Sequence, residues 1–303
     1  MRIDQIIEER RPCFSFEFFP PKDEEGMERL FNTVSELQED DPAFVSVTYG
    51  AAGSTRDRTL GVVKRIRQET DIEAMAHFSV VGATVDELSA TLDDMEEIGI
   101  ENVLALRGDP PGGETEWRAT EGGLHYSTEL ARLISDRYPF CIGAACFPEV
   151  HPEAPSMEHD LRFLREKIDA GASFLITQLF FDNELYFDFV DQARAAGIGV
   201  PIIPGIMPIT NYRQIKRFTE MCGASIPEDL ERELAERQDD PDAVKDLGVS
   251  YATLQCSELL SRGAPGIHFY TLNKSPATRS ILAALRAARP WDRTLARVGA
   301  QAS

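Results

Sequence analysis

Residues 74–107 have the sequence AMAHFSVVGATVDELSATLDDMEEIGIENVLALR, and this stretch decides the fold. A short apolar run at Ala74–Phe78 is followed by an amphipathic segment near 84–98 and by a second apolar run at Asn102–Arg107. Two such runs joined through one helix form the β-α-β unit of a parallel sheet. The rest of the chain repeats this alternation.

The alternation predicts eight strands, each followed by a helix. The predicted strands are Phe14–Phe18, Phe44–Thr48, Ala74–Phe78, Asn102–Arg107, Cys141–Cys146, Phe174–Gln178, Val200–Gly205 and Ile267–Tyr270. The predicted helices lie near 25–38, 58–70, 84–98, 127–138, 156–170, 183–196, 209–222 and 276–288. Eight units favour one α/β domain over residues 1–303, folded as a (β/α)8 TIM-type barrel, with an open doubly wound sheet as the alternative. The acidic sequence 227–263 is interpreted as extra helices inserted before the last strand.

Composition and charge exclude several classes of function. The chain carries 31 basic and 51 acidic residues, a net charge of −20, and we expect no nucleic-acid partner because phosphate contacts need a basic surface. No apolar run is long enough to cross a membrane, and no secretory signal is recognised, so no membrane partner is expected. Five cysteines without C-x-x-C spacing favour reduced thiols and a cytoplasmic location.

The sequence contains none of the common nucleotide-binding motifs and no helical metal-binding motif. No G-x-G-x-x-G follows a strand and no P-loop motif occurs, so any dinucleotide would have to be held by barrel loops. The segment 148–160, PEVHPEAPSMEHD, contains residue types that suit zinc or manganese, but it lacks the H-E-x-x-H spacing of a helical metal site. We predict no metal.

Polar side chains near the C-terminal ends of five strands form the candidate site. Residues two apart on a strand share a face, and we interpret the face that ends in a polar residue as the barrel interior. In the fourth strand this interpretation turns Val103, Ala105 and Arg107 inward. The residues expected to converge on the C-terminal mouth, where barrel enzymes keep their chemistry, are Glu17, Thr48, His77, Arg107 and Gln178.

Glu17 is the strongest single candidate, because a carboxyl between phenylalanines is costly unless it is paired or functional. Burial is expected to raise its pKa and keep it protonated as a general acid, whereas the alternative is a structural ion pair. A histidine such as His77, taken alone, is more often a hydrogen-bonded core residue than a functional one. Arg107 and Asp109 could form a ligand-binding loop or only a turn with an ion pair.

Several motifs together resemble a known family, the methylenetetrahydrofolate reductases. They run in family order from about residue 14 to 275, and the resemblance implies a (β/α)8 barrel that binds FAD. The motifs are Phe16-Glu17-Phe18-Phe19-Pro20-Pro21, Phe44-Val45-Ser46-Val47-Thr48-Tyr49-Gly50, Ala105-Leu106-Arg107-Gly108-Asp109, Pro148-Glu149-Val150-His151-Pro152-Glu153-Ala154, Ile176-Thr177-Gln178 with Phe180-Phe181-Asp182, Ile203-Pro204-Gly205-Ile206 and His268-Phe269-Tyr270-Thr271-Leu272-Asn273.

The resemblance implies a reaction in which NADH or NADPH passes hydride to FAD and leaves. The reduced flavin then converts 5,10-methylenetetrahydrofolate to 5-methyltetrahydrofolate. Glu17 matches the catalytic acid that protonates a folate ring nitrogen. Asp109 matches an aspartate beside the flavin, whose negative charge would disfavour an anionic reduced flavin and promote hydride donation.

The remaining site residues are also implied by the resemblance. Matches to FAD-binding positions are Thr48, His77, Arg107, Gly108, Asp109, Tyr126, Phe147, His151, Asp160 and Lys167. Matches to folate or nicotinamide positions are Gln178, Gln214, Phe218 and Lys274. Phe147 replaces a tyrosine common in bacterial members, and Lys274 replaces a common arginine, so one flavin hydrogen bond and one bidentate contact to the folate tail would be lost.

The expected partners are small molecules, a folate and a nicotinamide dinucleotide, and we expect a homo-oligomer. The choice between NADH and NADPH stays open. Two other functions are alternatives: another FAD-binding barrel oxidoreductase resembling proline dehydrogenase, and a noncatalytic folate-binding protein.

Overall fold

The described residues alternate between strands and helices. The computed structural model describes residues 1–49, 56–109 and 117–292. The strands are β1 (Cys13–Phe18), β2 (Phe44–Val47), β3 (Ala74–Ser79), β4 (Asn102–Leu106), β5 (Cys141–Cys146), β6 (Ala172–Thr177), β7 (Ile202–Ile203), β8 (Gly205–Ile206) and β9 (Gly266–Tyr270). The helices are α1 (Ile3–Glu9), α2 (Glu24–Gln38), α3 (Arg56–Glu69), α4 (Val85–Glu97), α5 (Ser127–Arg137), α6 (Met157–Asp169), α7 (Asn183–Ala195), α8 (Tyr212–Cys222), α9 (Glu228–Glu236), α10 (Pro241–Ser261) and α11 (Pro276–Ala288). Within the described ranges, no helix has the length and apolar character needed to cross a membrane.

A split strand closes the barrel. All strand pairs are parallel, in the order β7-β6-β5-β4-β3-β2-β1-β9-β8. β7 and β8 are two halves of the predicted strand Val200–Gly205, separated by Pro204, which has no N–H to donate to the ladder. Since β7 pairs with β6 and β8 with β9, the halves join the two ends of the sheet. The predicted (β/α)8 TIM-type barrel is confirmed, and the open sheet is excluded.

Side-chain alternation separates two apolar clusters. Outward-facing residues such as Phe16 and Val47 pack beneath the helices. Inward-facing residues such as Phe44 and Phe174 fill the barrel together with isoleucines of α1, which closes its N-terminal end. The faces predicted for β1, β2, β3 and β6 are confirmed.

The face predicted for β4 is wrong. Leu104 and Leu106 belong to the interior cluster, whereas Val103 and Ala105 pack beneath the helices. Arg107 follows the last residue of β4, and Gly108 with φ +87° turns the chain immediately afterwards. A polar residue beyond the end of a strand therefore does not identify the strand's inner face.

Extra helices precede the last strand, as predicted. α10 packs between α7 and α11 in the outer ring. α8, α9 and the start of α10, which we call the rim helices, form a separate apolar cluster with residues that follow β6 and β8. Residues 293–303 lie outside the described part of the chain, so the single domain over 1–303 and the limits 227–263 stay predictions.

The path of α8 differs from that of an ordinary barrel helix. A helix in a β-α-β unit runs back toward the N-terminal end of the sheet. The amide of Ser225, just beyond the end of α8, instead hydrogen-bonds Glu149 in the loop after β5. Both ends of α8 thus lie at the C-terminal rim, and the helix runs along the barrel mouth.

Candidate functional site

Three buried ionisable side chains meet inside the barrel. Glu17 on β1 is 7% exposed, and its Oε2 lies 3.3 Å from Nε2 of His77 on β3 and 3.4 Å from Nε2 of His268 on β9. The contact with His268 has hydrogen-bond geometry. Nε2 of His77 is close to the carboxylate but not aligned with it, and it has no hydrogen-bond partner among the described residues.

His268 is held in one orientation. Its Nδ1 lies 2.8 Å from the hydroxyl of Ser15, and its Nε2 lies 3.5 Å from the hydroxyl of Ser46. The imidazole stacks on the ring of Phe44, with centroids 6.0 Å apart. These contacts direct Nε2 toward Glu17.

The pKa of Glu17 differs from the sequence prediction. Burial raises the pKa of this carboxyl, but the imidazoles of His77 and His268 and the hydroxyl of Ser46 stabilise the carboxylate and bring the pKa below its usual value. Burial lowers the pKa of His77, and Glu17 opposes that effect. The pKa of Glu17 is therefore shifted in the direction opposite to the one expected from burial alone, because its partners on β3 and β9 favour the charged form.

The loop after β4 carries a fixed guanidinium. Arg107 donates to both carboxylate oxygens of Glu153 at 2.5 and 2.7 Å, and it lies over the ring of Trp117 at 5.3 Å. The pairing raises the pKa of Arg107 and lowers that of Glu153. At Gly108 a Cβ would lie 2.7 Å from a methyl of Val81, so this turn requires glycine. The exposed Asp109 follows it.

The loop after β5 is tied to α6. The ring of Phe147 contacts His151 with centroids 4.6 Å apart, and the amide of His151 donates to Asp160 at 2.9 Å. Lys167 Nζ donates to the carbonyl of Ala145 at 3.1 Å, and burial lowers its pKa while Asp160 opposes this. The structure thus brings together the predicted residues of this segment.

The other predicted residues are more dispersed. Thr48 and Gln178 are half-buried at the ends of β2 and β6, and the exposed Tyr126 lies at the start of α5, 6.4 Å from the ring of Phe163. On α8 lie Gln214 and Phe218, and the exposed Lys274 follows β9. Across residues 1–49, 56–109 and 117–292, no hydrogen bond joins these side chains to Glu17, His77 or His268.

Several buried polar side-chain atoms of the described residues have no hydrogen-bond partner, and two of them, Asn183 Oδ1 and Thr278 Oγ1, lie on the outer helices α7 and α11. The others are His77 Nε2, Ser79 Oγ, Trp117 Nε1 and His159 Nδ1. Leaving such an atom unsatisfied costs about 1–3 kcal/mol, so these atoms indicate where polar groups of a ligand are expected. The set fits a ligand rich in donors and acceptors, such as a dinucleotide. No cluster of three His, Cys, Asp or Glu side chains in the described part of the chain is placed to hold a metal ion.

Comparison with known sequences defines the family. The profile described as "Methylenetetrahydrofolate reductase" matches residues 2–286. The chain belongs to this family. Its relative 5,10-methylenetetrahydrofolate reductase of Escherichia coli (strain K12) is 41% identical over 269 residues, which cover 88% of each chain. Methylenetetrahydrofolate reductase (NADH) 1 of Arabidopsis thaliana is 38% identical over 292 residues, covering 93% of this chain and 49% of that protein. The chain spans about half the length of the plant relatives it matches.

A solved structure shares the fold of this methylenetetrahydrofolate reductase family member. It is an uncharacterized protein from Clostridium thermocellum that binds two copies of 5-methyl-5,6,7,8-tetrahydrofolic acid. The two superpose with a TM-score of 0.62 at 16% identity, over 92% of this chain and 95% of that one. The likeness agrees with a barrel fold.

Several contacts of the site in this methylenetetrahydrofolate reductase family member were not predicted from its sequence. His268 stands in a quoted motif without a role, although alternation along β9 places it on the same face as Tyr270. Glu153 and Trp117, which hold Arg107, gave no signal because their contacts are not local in sequence. Gly50 of the second motif lies outside the described residues.

Proposed function

We propose that this protein reduces 5,10-methylenetetrahydrofolate to 5-methyltetrahydrofolate, with NADH or NADPH as hydride donor and FAD as the carrier between them. Family membership supports the reaction. The observation that carries the proposal to this chain is the buried cluster of Glu17, His77 and His268 inside the C-terminal part of the barrel. Active sites of such barrels lie at this end.

FAD, when bound, would accept hydride from the nicotinamide and pass it to the folate. The residues proposed to hold it are Thr48, His77, Arg107, Gly108, Asp109, Tyr126, Phe147, His151, Asp160 and Lys167. The guanidinium of Arg107, fixed by Glu153 and Trp117, would supply positive charge for the diphosphate. The negative charge of Asp109 would act beside the flavin ring.

Glu17 is proposed to deliver a proton to a folate ring nitrogen. The carboxyl has to carry a proton before each transfer, and the imidazoles of His77 and His268 are the groups beside it. Nε2 of His268 lies 3.4 Å from Oε2 of Glu17, and the hydroxyl of Ser15 fixes the orientation of the imidazole by bonding Nδ1. The cluster therefore holds an imidazole nitrogen beside the carboxylate that is proposed to act as the acid.

Gln178, Gln214, Phe218 and Lys274 are proposed to contact the folate or the nicotinamide. Phe218 can stack on either planar ring. Lys274 presents a single ammonium to the folate tail, without the fork of an arginine. The homo-oligomer and the cytoplasmic location stay predictions.

The flavin assignment is tested by the visible spectrum. We expect purified protein to be yellow, or to become so with added FAD, and anaerobic NADH or NADPH should bleach the flavin bands. Subsequent 5,10-methylenetetrahydrofolate should restore them, whereas the oxidised nicotinamide, as control, should bleach nothing. A colourless protein that takes up no FAD would contradict the proposal.

A further inference from the structure

We propose that Glu149 is a positioning residue that fastens α8 along the barrel mouth and so places Gln214 and Phe218 for substrate binding. The expected effect on substrate binding rests on the function proposed above. The fastening itself rests on contacts between the loop after β5 and the end of α8. Glu149 lies in one of the motifs quoted above, but neither the motif nor the proposed reaction gives this residue a role.

The first contact is a set of charge-assisted hydrogen bonds. The amide of Ser225 donates to both carboxylate oxygens of Glu149, at 3.1 and 3.0 Å, and the Ser225 hydroxyl donates to Oε2 at 2.5 Å. The two residues are 76 positions apart in sequence. Bonds to an ionised acceptor are roughly twice as strong as neutral ones. One carboxylate therefore joins two distant segments.

The second contact is steric. Gly223 ends α8 with φ +73°, and a Cβ there would lie 3.1 Å from Pro152 Cγ. The loop after β5 thus packs against the same end of α8 that Glu149 binds. We call these two contacts, Glu149 with Ser225 and Pro152 with Gly223, the clasp.

The clasp matters because α8 is not packed on the main core. Ile215 on its inner side belongs to the cluster of the rim helices, and Lys216 pairs with Glu231 of α9 at 2.6 Å. These contacts bind α8 to its own unit. The clasp instead ties that unit to the loop of His151, which Asp160 holds on the proposed FAD side.

Phe218 lies near the middle of α8, a helix of 11 residues and therefore about 16 Å long. With one end fastened, the helix keeps Gln214 and Phe218 in one position relative to the mouth. Without the clasp, the apolar contacts that the structure describes at that end of α8 are those of Cys222, Ala224 and Ile226, which are partly buried against the rim cluster, so the end is held less firmly. The expected loss is in substrate binding, because the hydride and proton donors are untouched.

The test compares Glu149→Gln with Glu220→Gln. Gln keeps the volume of Glu149 but removes its charge and replaces one acceptor by a donor facing the Ser225 amide. We expect the KM for 5,10-methylenetetrahydrofolate to rise about tenfold, with kcat and FAD affinity within about twofold of wild type. Glu220→Gln removes the same charge from an exposed position on the same helix. In this control the KM, kcat and FAD affinity should all stay at the wild-type values.

Amide hydrogen exchange provides a readout that does not depend on turnover. In Glu149→Gln, exchange should become faster over residues 212–225 and stay unchanged in α10, and the affinity for 5-methyltetrahydrofolate should fall about tenfold. Unchanged exchange over 212–225 would overturn the clasp. Joint loss of FAD affinity and thermal stability would show a merely structural role and also overturn the proposal. Faster exchange with unchanged KM and folate affinity would overturn the positioning role.

A failure of the proposed function is recognised separately. If wild-type protein shows no reductase turnover, the exchange pattern and the titration with 5-methyltetrahydrofolate still decide between the clasp and its absence. Ser225→Ala removes only the hydroxyl bond to Glu149. In this variant the affinity for 5-methyltetrahydrofolate should fall by about threefold, less than in Glu149→Gln.

Discussion

Glu17→Gln is expected to slow flavin reoxidation by 5,10-methylenetetrahydrofolate by at least about 10²-fold, within the usual range for general acid catalysis. Flavin reduction by NADH or NADPH should stay within about tenfold of wild type, because that step needs no proton from residue 17. A glutamine side chain has nearly the same volume as glutamate and can still hydrogen-bond His268, but it cannot act as an acid. The loss corresponds to about 3 kcal/mol of barrier or more.

Stopped-flow absorbance of the flavin follows the two steps separately. Glu8→Gln is a matched control, since Glu8 is exposed on α1 at the opposite end of the barrel. Reoxidation of the Glu17 variant at the wild-type rate would exclude Glu17 as the acid. Equal collapse of both steps would indicate a structural role for the cluster instead.

The strands were predictable because their pattern is local. β1, β3 and β5 are short buried runs with helical sequence between them, and hydrophobic periodicity identifies both. α1 was missed because its seven residues are too few for a periodic signal. The break at Pro204 was missed because the strand was predicted from apolar content alone, although proline removes a ladder hydrogen bond.

The sequence predicts which residues line the candidate site better than it predicts the contacts between them. Strand alternation brings Glu17 and His77 inside the barrel, and the resemblance supplied the surrounding residues. The pKa of Glu17 could not be predicted in the same way, since it depends on His268, 251 positions away. The position of α8 likewise depends on a contact between Glu149 and Ser225 that no local pattern reports.

Helix α10 links the rim helices to the outer ring, and at Gly248 it passes close to the backbone of the segment between β8 and α8. A Cβ at Gly248 would lie 1.8 Å from the carbonyl oxygen of Ile209, in the segment between β8 and α8. Backbone cannot give way as a flexible side chain does. A methyl group here has to displace α10 or the segment that carries α8.

Gly248→Ala is therefore expected to destabilise the protein by about 3 kcal/mol, against the gain of about 0.5–1 kcal/mol that Gly to Ala ordinarily brings inside a helix. Gly61→Ala is the matched control, because Gly61 lies exposed in α3 and a Cβ there meets nothing within 4 Å. We expect thermal denaturation to show a midpoint about 5 °C lower for Gly248→Ala and about 1 °C higher for Gly61→Ala. Equal midpoints for the two variants would contradict the close approach of α10 to Ile209, because helix propensity alone predicts the same gain at both sites.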